Sequence, residues 1–257
     1  MKTLVEYLDR HKHKRLKQAY YSPSNKKELE TIIEDRIYKL IENNRNTESD
    51  KLILDLNDID TSRITDMSGI FKLQNLRIAI DFSKWDVSNV KDMSRMFESS
   101  SIRRIGLSEW DVSNVETMYS MFTNSYVHEY EIDEWDVSNV ENMTFMFYNS
   151  EFNGDISNWD VSNVKWMNYM FKSSKFNGDI SNWDVSNVEN MSSMFSNSNF
   201  NGDISNWNVS NVKDMSYMFY KSNFNGDISK WDVNPNCIMK DIFKSSMVKK
   251  KPKWYKR

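Results

Sequence analysis

Apolar residues recur along this chain in two rhythms. Leu29, Ile32, Ile33, Ile37, Leu40 and Ile41 fall three or four apart, which is one stripe of an amphipathic helix over residues 26–43. Asn25, after Pro23, is a suitable N-cap, with Glu28 three residues on. A weaker helical pattern covers roughly residues 2–20. From about residue 56 the pattern changes and then repeats itself. Trp85, Trp110, Trp135, Trp159, Trp183, Trp207 and Trp231 lie 25, 25, 24, 24, 24 and 24 residues apart. A degenerate earlier copy has Ile59 in the Trp position, with Met67 and Phe71 in register.

The repetition is close to literal. Phe-Asn-Gly-Asp-Ile-Ser-Asn-Trp-Asp-Val-Ser-Asn-Val runs from Phe152 to Val164 and again from Phe176 to Val188. A third copy, Phe200 to Val212, differs only in Asn208 for Asp. A period this short is too small for a four-stranded propeller blade and predicts a solenoid, in which each unit completes its core against its neighbours. Within one unit, Trp159-Asp160-Val161 alternates as a short strand does. Val164, Met167, Met170 and Phe171 then take a helical spacing. Ser113 with Glu116, Ser138 with Glu141 and Ser186 with Glu189 read as capping boxes before those helices. Asn153-Gly154 offers a turn tolerant of positive φ. The expected fold is therefore an α/β repeat solenoid, leucine-rich-repeat-like, with short parallel strands on one face and short helices on the other. Residues 1–55 are expected to form an N-terminal helical cap, 56–243 eight units of 24–26 residues, and 244–257 a basic C-terminal tail.

Composition changes this picture little. Fourteen of the 16 Met fall in the two columns Met67 to Met239 and Met96 to Met218, and read as core. Cys237 is the one cysteine, so no intrachain disulfide forms. No apolar stretch is long enough to span a bilayer, and the first residues lack the apolar run of a secretory signal. The net charge of −3 hides a segregation. Residues 1–56 carry 12 Lys+Arg against 10 Asp+Glu, 57–243 carry 15 against 27, and 244–257 carry 7 against none, giving +2, −12 and +7. An acidic body is a poor fit for nucleic acid, the basic tail apart. That tail reads as solvated, or as touching acidic lipid, nucleic acid or the protein's own acidic face.

The motif W-D-V-S-N-V-x-x-M-x-x-M-F followed by F-N-G-D-I-S resembles the BspA-like leucine-rich repeat surface proteins, long catalogued through mycoplasma and Listeria lipoproteins as a domain of unknown function. The resemblance covers about residues 56–243. It implies a leucine-rich-repeat-like solenoid, a role in adhesion or protein binding, no catalytic residues and no cofactor. Surface members usually carry a signal or anchor, which this chain does not show, so sequence alone points to a cytoplasmic or virion location. Such repeats also occur in phage and large-virus proteins, and MKTLVEYLDR resembles the head-targeting peptide of T4-like phage internal proteins.

Two surfaces are candidates for binding a protein partner. The position two after the first Met of each unit varies, as Arg95, Ser120, Phe145, Tyr169, Ser193 and Tyr217, and is expected to face away from the core. There Phe145, Tyr148, Trp166 and Tyr169 form an aromatic patch on the convex face. On the concave face, Asp86, Asp111, Asp136, Asp160, Asp184 and Asp232 form a ladder flanked by Glu109 and Glu134. Stacked carboxylates suit Ca²⁺ or a carbohydrate, or each Asp closes an Asx-turn on the backbone N–H two residues on. Asn208 in the same column favours the turn. Asp155, Asp179, Asp203 and Asp227 allow the same two readings. His11, His13 and His128 lack acidic or Cys neighbours at ligand spacing, and no nucleophile or phosphate-loop motif is present, so neither a metal site nor an enzyme is expected. Self-association of a structural or virion protein is the other class of function.

Overall fold

The computed structural model describes residues 22–45, 47–48, 51–72, 78–100, 106–125 and 131–255. The first helical pattern, His11, His13 and His128 lie outside these residues. Helix α1 spans Lys26–Asn43 and buries Leu29, Ile32, Ile33, Ile37 and Ile41, with Leu40 half-buried at the edge of the stripe. The N-cap Asn25 accepts from the Glu28 N–H at 3.1 Å. The Glu28 carboxylate reaches one residue further back than a simple capping box, accepting from the Ser24 N–H at 2.8 Å and its hydroxyl at 3.0 Å. The buried stripe joins the same core as Leu52, Leu54, Leu56, Ile59 and Met67. Arg36 fixes the helix laterally by pairing with Asp58 at 2.6 Å.

Strands β1, Ile53–Asp55, and β2, Ala79–Asp81, pair in parallel with Leu54 opposite Ile80. Later units continue the stacking without further named strands among the described residues. Isolated parallel bridges run from Asp66 through Asp92, Thr117, Asn142, Trp166, Asn190 and Asp214 to Ile238. Consecutive units therefore lie in register, each bonded to the next.

The stretch from Val164 to Phe171 is not the helix that its spacing predicts. It is a run of turns. Met170, Lys172 and Ser174 donate to the carbonyls three residues back, at 3.2, 3.2 and 3.1 Å. The alternate groups, the N–H of Met167, Tyr169, Phe171 and Ser173, donate to Asn190, Ser192, Met194 and Ser196 of the next unit at 2.9–3.0 Å. An N–H engaged with the next unit is not free to close an i→i−4 bond. A lone two-turn helix has too few bonds to offset its nucleation, whereas the ladder satisfies each group against a neighbour. The path requires left-handed residues: Tyr169 and Ser173 have φ of 62° and 59°, and the same two positions recur from Arg95 to Ser245. The capping boxes consequently have no helix to cap. Their Glu side chains turn to the neighbouring unit, where Glu116, Glu141 and Glu189 meet Lys91, Lys165 and Lys213 at 2.7–2.8 Å.

The Trp-Asp-Val stretch is likewise irregular backbone, and side chains tie it from unit to unit. The Trp159 indole N–H donates to the Ile132 carbonyl at 2.9 Å, and the Asn163 amide donates to the Ser138 carbonyl at 2.7 Å. The same pair of bonds joins Trp183 to Ile156 and Asn187 to Ser162. On the preceding turn, the Asn153 and Asn177 side chains accept the N–H groups of Asn177 and Asn201 at 2.7 Å. Within Phe-Asn-Gly-Asp-Ile-Ser-Asn-Trp-Asp-Val-Ser-Asn-Val, the apolar positions thus fill the core while both polar ladders pair across units.

Gly154 departs from expectation. It does not adopt positive φ, but a Cβ there would stand 2.7 Å from Cε2 of the Phe152 ring. The glycine is required by the close approach of the ring. Those rings form a column in which Phe152 and Phe176 are 6.2 Å apart and parallel, and a second column runs Phe147–Phe171–Phe195 at 5.7 and 5.8 Å.

Within the basic segment, residues 247–255 pack on the units before them. Trp254 stacks on Trp231 at 6.0 Å, its indole N–H donates to the Ile228 carbonyl at 2.7 Å, and Tyr255 packs edge-on against Phe243. Met247 donates to the Ser222 carbonyl at 3.1 Å. Residues 247–255 thus lay a partial unit over the last full one.

Candidate functional site

The aromatic surface arises from the left-handed turns. From the first left-handed position of each run, beside buried Met and Phe, Arg95, Phe145, Tyr169 and Tyr217 reach the surface, whereas the small Ser120 and Ser193 are covered. Phe145 and Tyr169 occupy this position at φ 59° and 62°, and both are half-buried. Their rings stack face to face at 4.5 Å with 7° between planes. Tyr148 meets Phe145 edge-on at 5.6 Å, and Lys172 lies over Tyr169 at 5.1 Å and Tyr148 at 5.9 Å. Trp166 is 40% exposed in the bridge column between Asn142 and Asn190, and among the described residues no ring contact joins it to the other three.

Two members of the cluster are not evident from aromatic residues at a single column. Tyr119 meets Phe145 edge-on at 6.0 Å, and Arg95 lies over Tyr119 at 5.2 Å. The hydrogen bond with Tyr119 holds the Arg95 guanidinium above its ordinary pKa. The face thus spans units from Arg95 to Lys172, with cations at both ends of a ring cluster. A smaller copy follows two units on, where Tyr217 and Tyr220 meet edge-on at 5.8 Å beside Lys240 and Lys221. Tyr217 shares the column of Phe145 and Tyr169, and Lys172 and Tyr220 that of Tyr148, so spacing places these three, whereas the edge contact of Tyr119 has no such signal.

The acidic ladder has a different character. Asp86, Asp111, Asp136, Asp160 and Asp184 each accept, through one oxygen, from the Ser N–H two residues on at 3.0–3.1 Å. Asn208 makes the same bond to Ser210 at 3.2 Å. In the last full unit Asn234 and Asn236 make it, and Asp232 stands exposed before them. The second row, Asp155, Asp179, Asp203 and Asp227, closes identical turns at 2.9 Å. These bonds stabilise the charged form: the Ser113 and Ser162 hydroxyls and N–H groups hold Asp111 and Asp160 below the ordinary carboxylate pKa. Glu109 and Glu134 are exposed beside the first row. Among the described residues, no group of three or more His, Cys, Asp or Glu could hold a metal ion. Asn201, Gly202, Asp203, Asn225, Gly226 and Asp227 line a shallow cleft of about 390 Å³ between two turns. Burial pushes the Cys237 thiol up to about 11, which keeps it protonated at neutral pH.

The family model described as "Mycoplasma protein of unknown function, DUF285" matches residues 38–153, 100–198 and 149–254. The chain belongs to this family. The three DUF285 matches overlap, and together they run from the second half of α1 to the Trp that closes the last unit. No curated protein and no solved structure gives a significant match. Among the described residues of this DUF285 chain, no helix is long and apolar enough to cross a membrane.

Proposed function

We propose that this chain is a non-catalytic binding module, a leucine-rich-repeat-like solenoid of the BspA-like kind, that takes a protein partner on its aromatic face. The observation that carries the reading is the stacked pair Phe145 and Tyr169, with Tyr119 and Tyr148 at its edges and Lys172 and Arg95 over its rings. Packing does not ask for these rings. Ser120 and Ser193 fill the same position in neighbouring units and adopt the same left-handed φ, 56° and 57°. Rings beyond what the core needs, clustered with cations and partly exposed, are the composition of interface anchors. The ladder of carboxylates supports this choice indirectly, because Asp86, Asp111, Asp136, Asp160 and Asp184 each have a structural task in their own turns.

The test follows from the serine units. In Phe145→Ser/Tyr169→Ser the turn keeps a residue that the fold already accepts there, so the double variant remains folded. With the wild-type protein as bait, a partner that is captured and then lost in the double variant supports the reading. A partner retained by the double variant moves the site to the Asp ladder. Absence of any heterologous partner, with self-association in its place, favours a structural or virion role.

A further inference from the structure

The end of the stack formed by the last unit differs from the units before it in its backbone pairing. In the unit before it, the N–H groups of Met215, Tyr217, Phe219 and Lys221 donate to Ile238, Lys240, Ile242 and Lys244 at 2.8–3.0 Å. One unit on, the equivalent N–H groups of Met239, Asp241, Phe243 and Ser245 meet no acceptor among the described residues. Met239 and Asp241 are half-buried and Ser245 is exposed, so the edge presents donors on either side of Phe243, which lies beneath Trp254 and Tyr255. Around it, Lys240, Lys244, Lys249, Lys250, Lys251 and Lys253 are all exposed. Asp241 is the single carboxylate between residues 233 and 255. Two large apolar side chains emerge at the same end, Ile238 at 59% and Met247 at 61% exposure. The Trp254–Ile228 bond and the Trp231–Trp254 stack hold the basic segment against the core, so the lysines are displayed on a fixed surface.

We propose that this end docks on an anionic lipid surface. Phosphodiester oxygens accept hydrogen bonds and carry negative charge, and the edge offers donors and ammonium groups. Met247 and Ile238 enter the boundary between headgroups and acyl chains, the second contact that a basic patch needs for stable association. A nucleic acid would meet the charge but leave these two side chains in water. The rest of the molecule sets the orientation. Residues 57–243 carry 15 Lys+Arg against 27 Asp+Glu, a net −12, and are repelled by the same surface. Approach is therefore end-on, with the units standing away from the lipid and both side faces accessible.

Flotation with vesicles tests this. Wild-type protein is mixed with vesicles of phosphatidylcholine alone and of equimolar phosphatidylserine and phosphatidylcholine, at low and high salt. The expected result is binding to the anionic vesicles alone, weakened by salt. Each lysine near such a surface contributes about fivefold in affinity, so Lys249→Gln/Lys250→Gln/Lys251→Gln/Lys253→Gln loses several hundredfold. Met247→Ser loses several-fold with no change in charge. The control Lys165→Gln/Lys213→Gln, on inner units, binds as wild type, and far-UV circular dichroism confirms that every variant is folded. Equal binding to both vesicle types, no binding at low salt, or binding to duplex DNA with Met247→Ser unaffected on vesicles would each overturn the proposal.

Discussion

The indole N–H of Trp254 donates to the carbonyl of Ile228 at 2.7 Å, one unit on from the bond of Trp231 to Ile204 at 2.9 Å. Trp254 thus reproduces the Trp position of the repeat. Pro252 is buried behind it, and Tyr255 closes over Phe243 at 5.2 Å. An exposed last unit would leave Trp231 and Phe243 uncovered on one side. The nine-residue segment 247–255 covers that side.

If this segment caps the stack, Trp254→Ala lowers the stability of the C-terminal units by about 2 kcal/mol, below the cost of a fully buried Trp because Trp254 is half-buried. Trp254→Phe keeps most of the packing and leaves the Ile228 carbonyl without its donor, at a cost of about 1 kcal/mol. Urea denaturation gives the totals. Amide exchange gives the location: faster exchange confined to residues after about 200 supports a cap, because stacked units fray from an end. Unchanged exchange in Trp254→Ala would show that the segment adds nothing.

The glycines separate two reasons for lacking a side chain. At Gly154 the backbone is ordinary and the obstacle is the Phe152 ring, 2.7 Å from a Cβ built there. At Gly69 the space is open and the obstacle is φ of +68°. Gly154→Ala is expected to cost about 1–3 kcal/mol by overpacking, and Gly69→Ala about 1 kcal/mol by backbone strain. Phe152→Leu removes the flat ring from Gly154. The cost of Gly154→Ala should therefore shrink in that background, whereas the cost of Gly69→Ala should not. A double-mutant cycle measured by urea midpoints checks this, and an unchanged cost at Gly154 would remove the ring from the explanation.

Much of this arrangement was legible in the spacing of residues, and the misreadings have physical causes. Core columns follow from period alone, since whatever the local backbone, Trp159, Val164, Met167, Met170 and Phe171 must stack on their counterparts. Helix α1 follows because its stripe is long and its N-cap is sound. The spacing of Val164, Met167, Met170 and Phe171 misleads because tight turns with a left-handed residue bring every third residue inward, much as a helix does. The hint lay in the Asn and Ser residues at Asn124, Asn149, Ser173 and Asn197, where φ is 50–59°. Asn is among the residues that tolerate this region, and it is poor inside helices. Trp254 was hidden by its basic surroundings, although it lies 23 residues from Trp231. The aromatic patch was legible in part. Phe145 and Tyr169 share a column on adjacent units, but the edge contact of Tyr119 depends on the direction that positive φ imposes, which spacing does not show.

That backbone is testable at Ser245, exposed and at φ 60°. Ser245→Asn is expected to stabilise slightly, by about 0.5 kcal/mol, because Asn enters the left-handed region more readily. Ser245→Val should destabilise by about 1–2 kcal/mol, since a β-branched residue is strongly disfavoured there. In a helix the order of Asn and Val would not carry this sign or size, both being middling helix formers. Thermal melts of the two variants therefore distinguish turn from helix, and near-equal stabilities would reject the turn.

Stability in acid follows from the serine-bonded carboxylates. The hydroxyl and N–H of Ser113 and Ser162 hold Asp111 and Asp160 below 3.8, and the N–H and hydroxyl of Ser157, Ser181, Ser205 and Ser229 do the same for Asp155, Asp179, Asp203 and Asp227. The folded values are depressed relative to the unfolded chain, so the folded state binds fewer protons. Their contribution is complete above the unfolded value and is lost as pH falls through the folded values. The melting temperature should therefore be flat from neutral pH to about pH 5 and fall below about pH 4. Asn208 shows which change isolates the cause, since its amide oxygen holds the Ser210 N–H at 3.2 Å with no titrating proton. Asp111→Asn/Asp160→Asn keeps both turns and should fall less steeply below pH 4, while its melting temperature at neutral pH drops slightly from the loss of two charge-assisted bonds. Parallel acid limbs in wild type and variant would place the acid sensitivity elsewhere, in the second row of turns closed by Asp155, Asp179, Asp203 and Asp227.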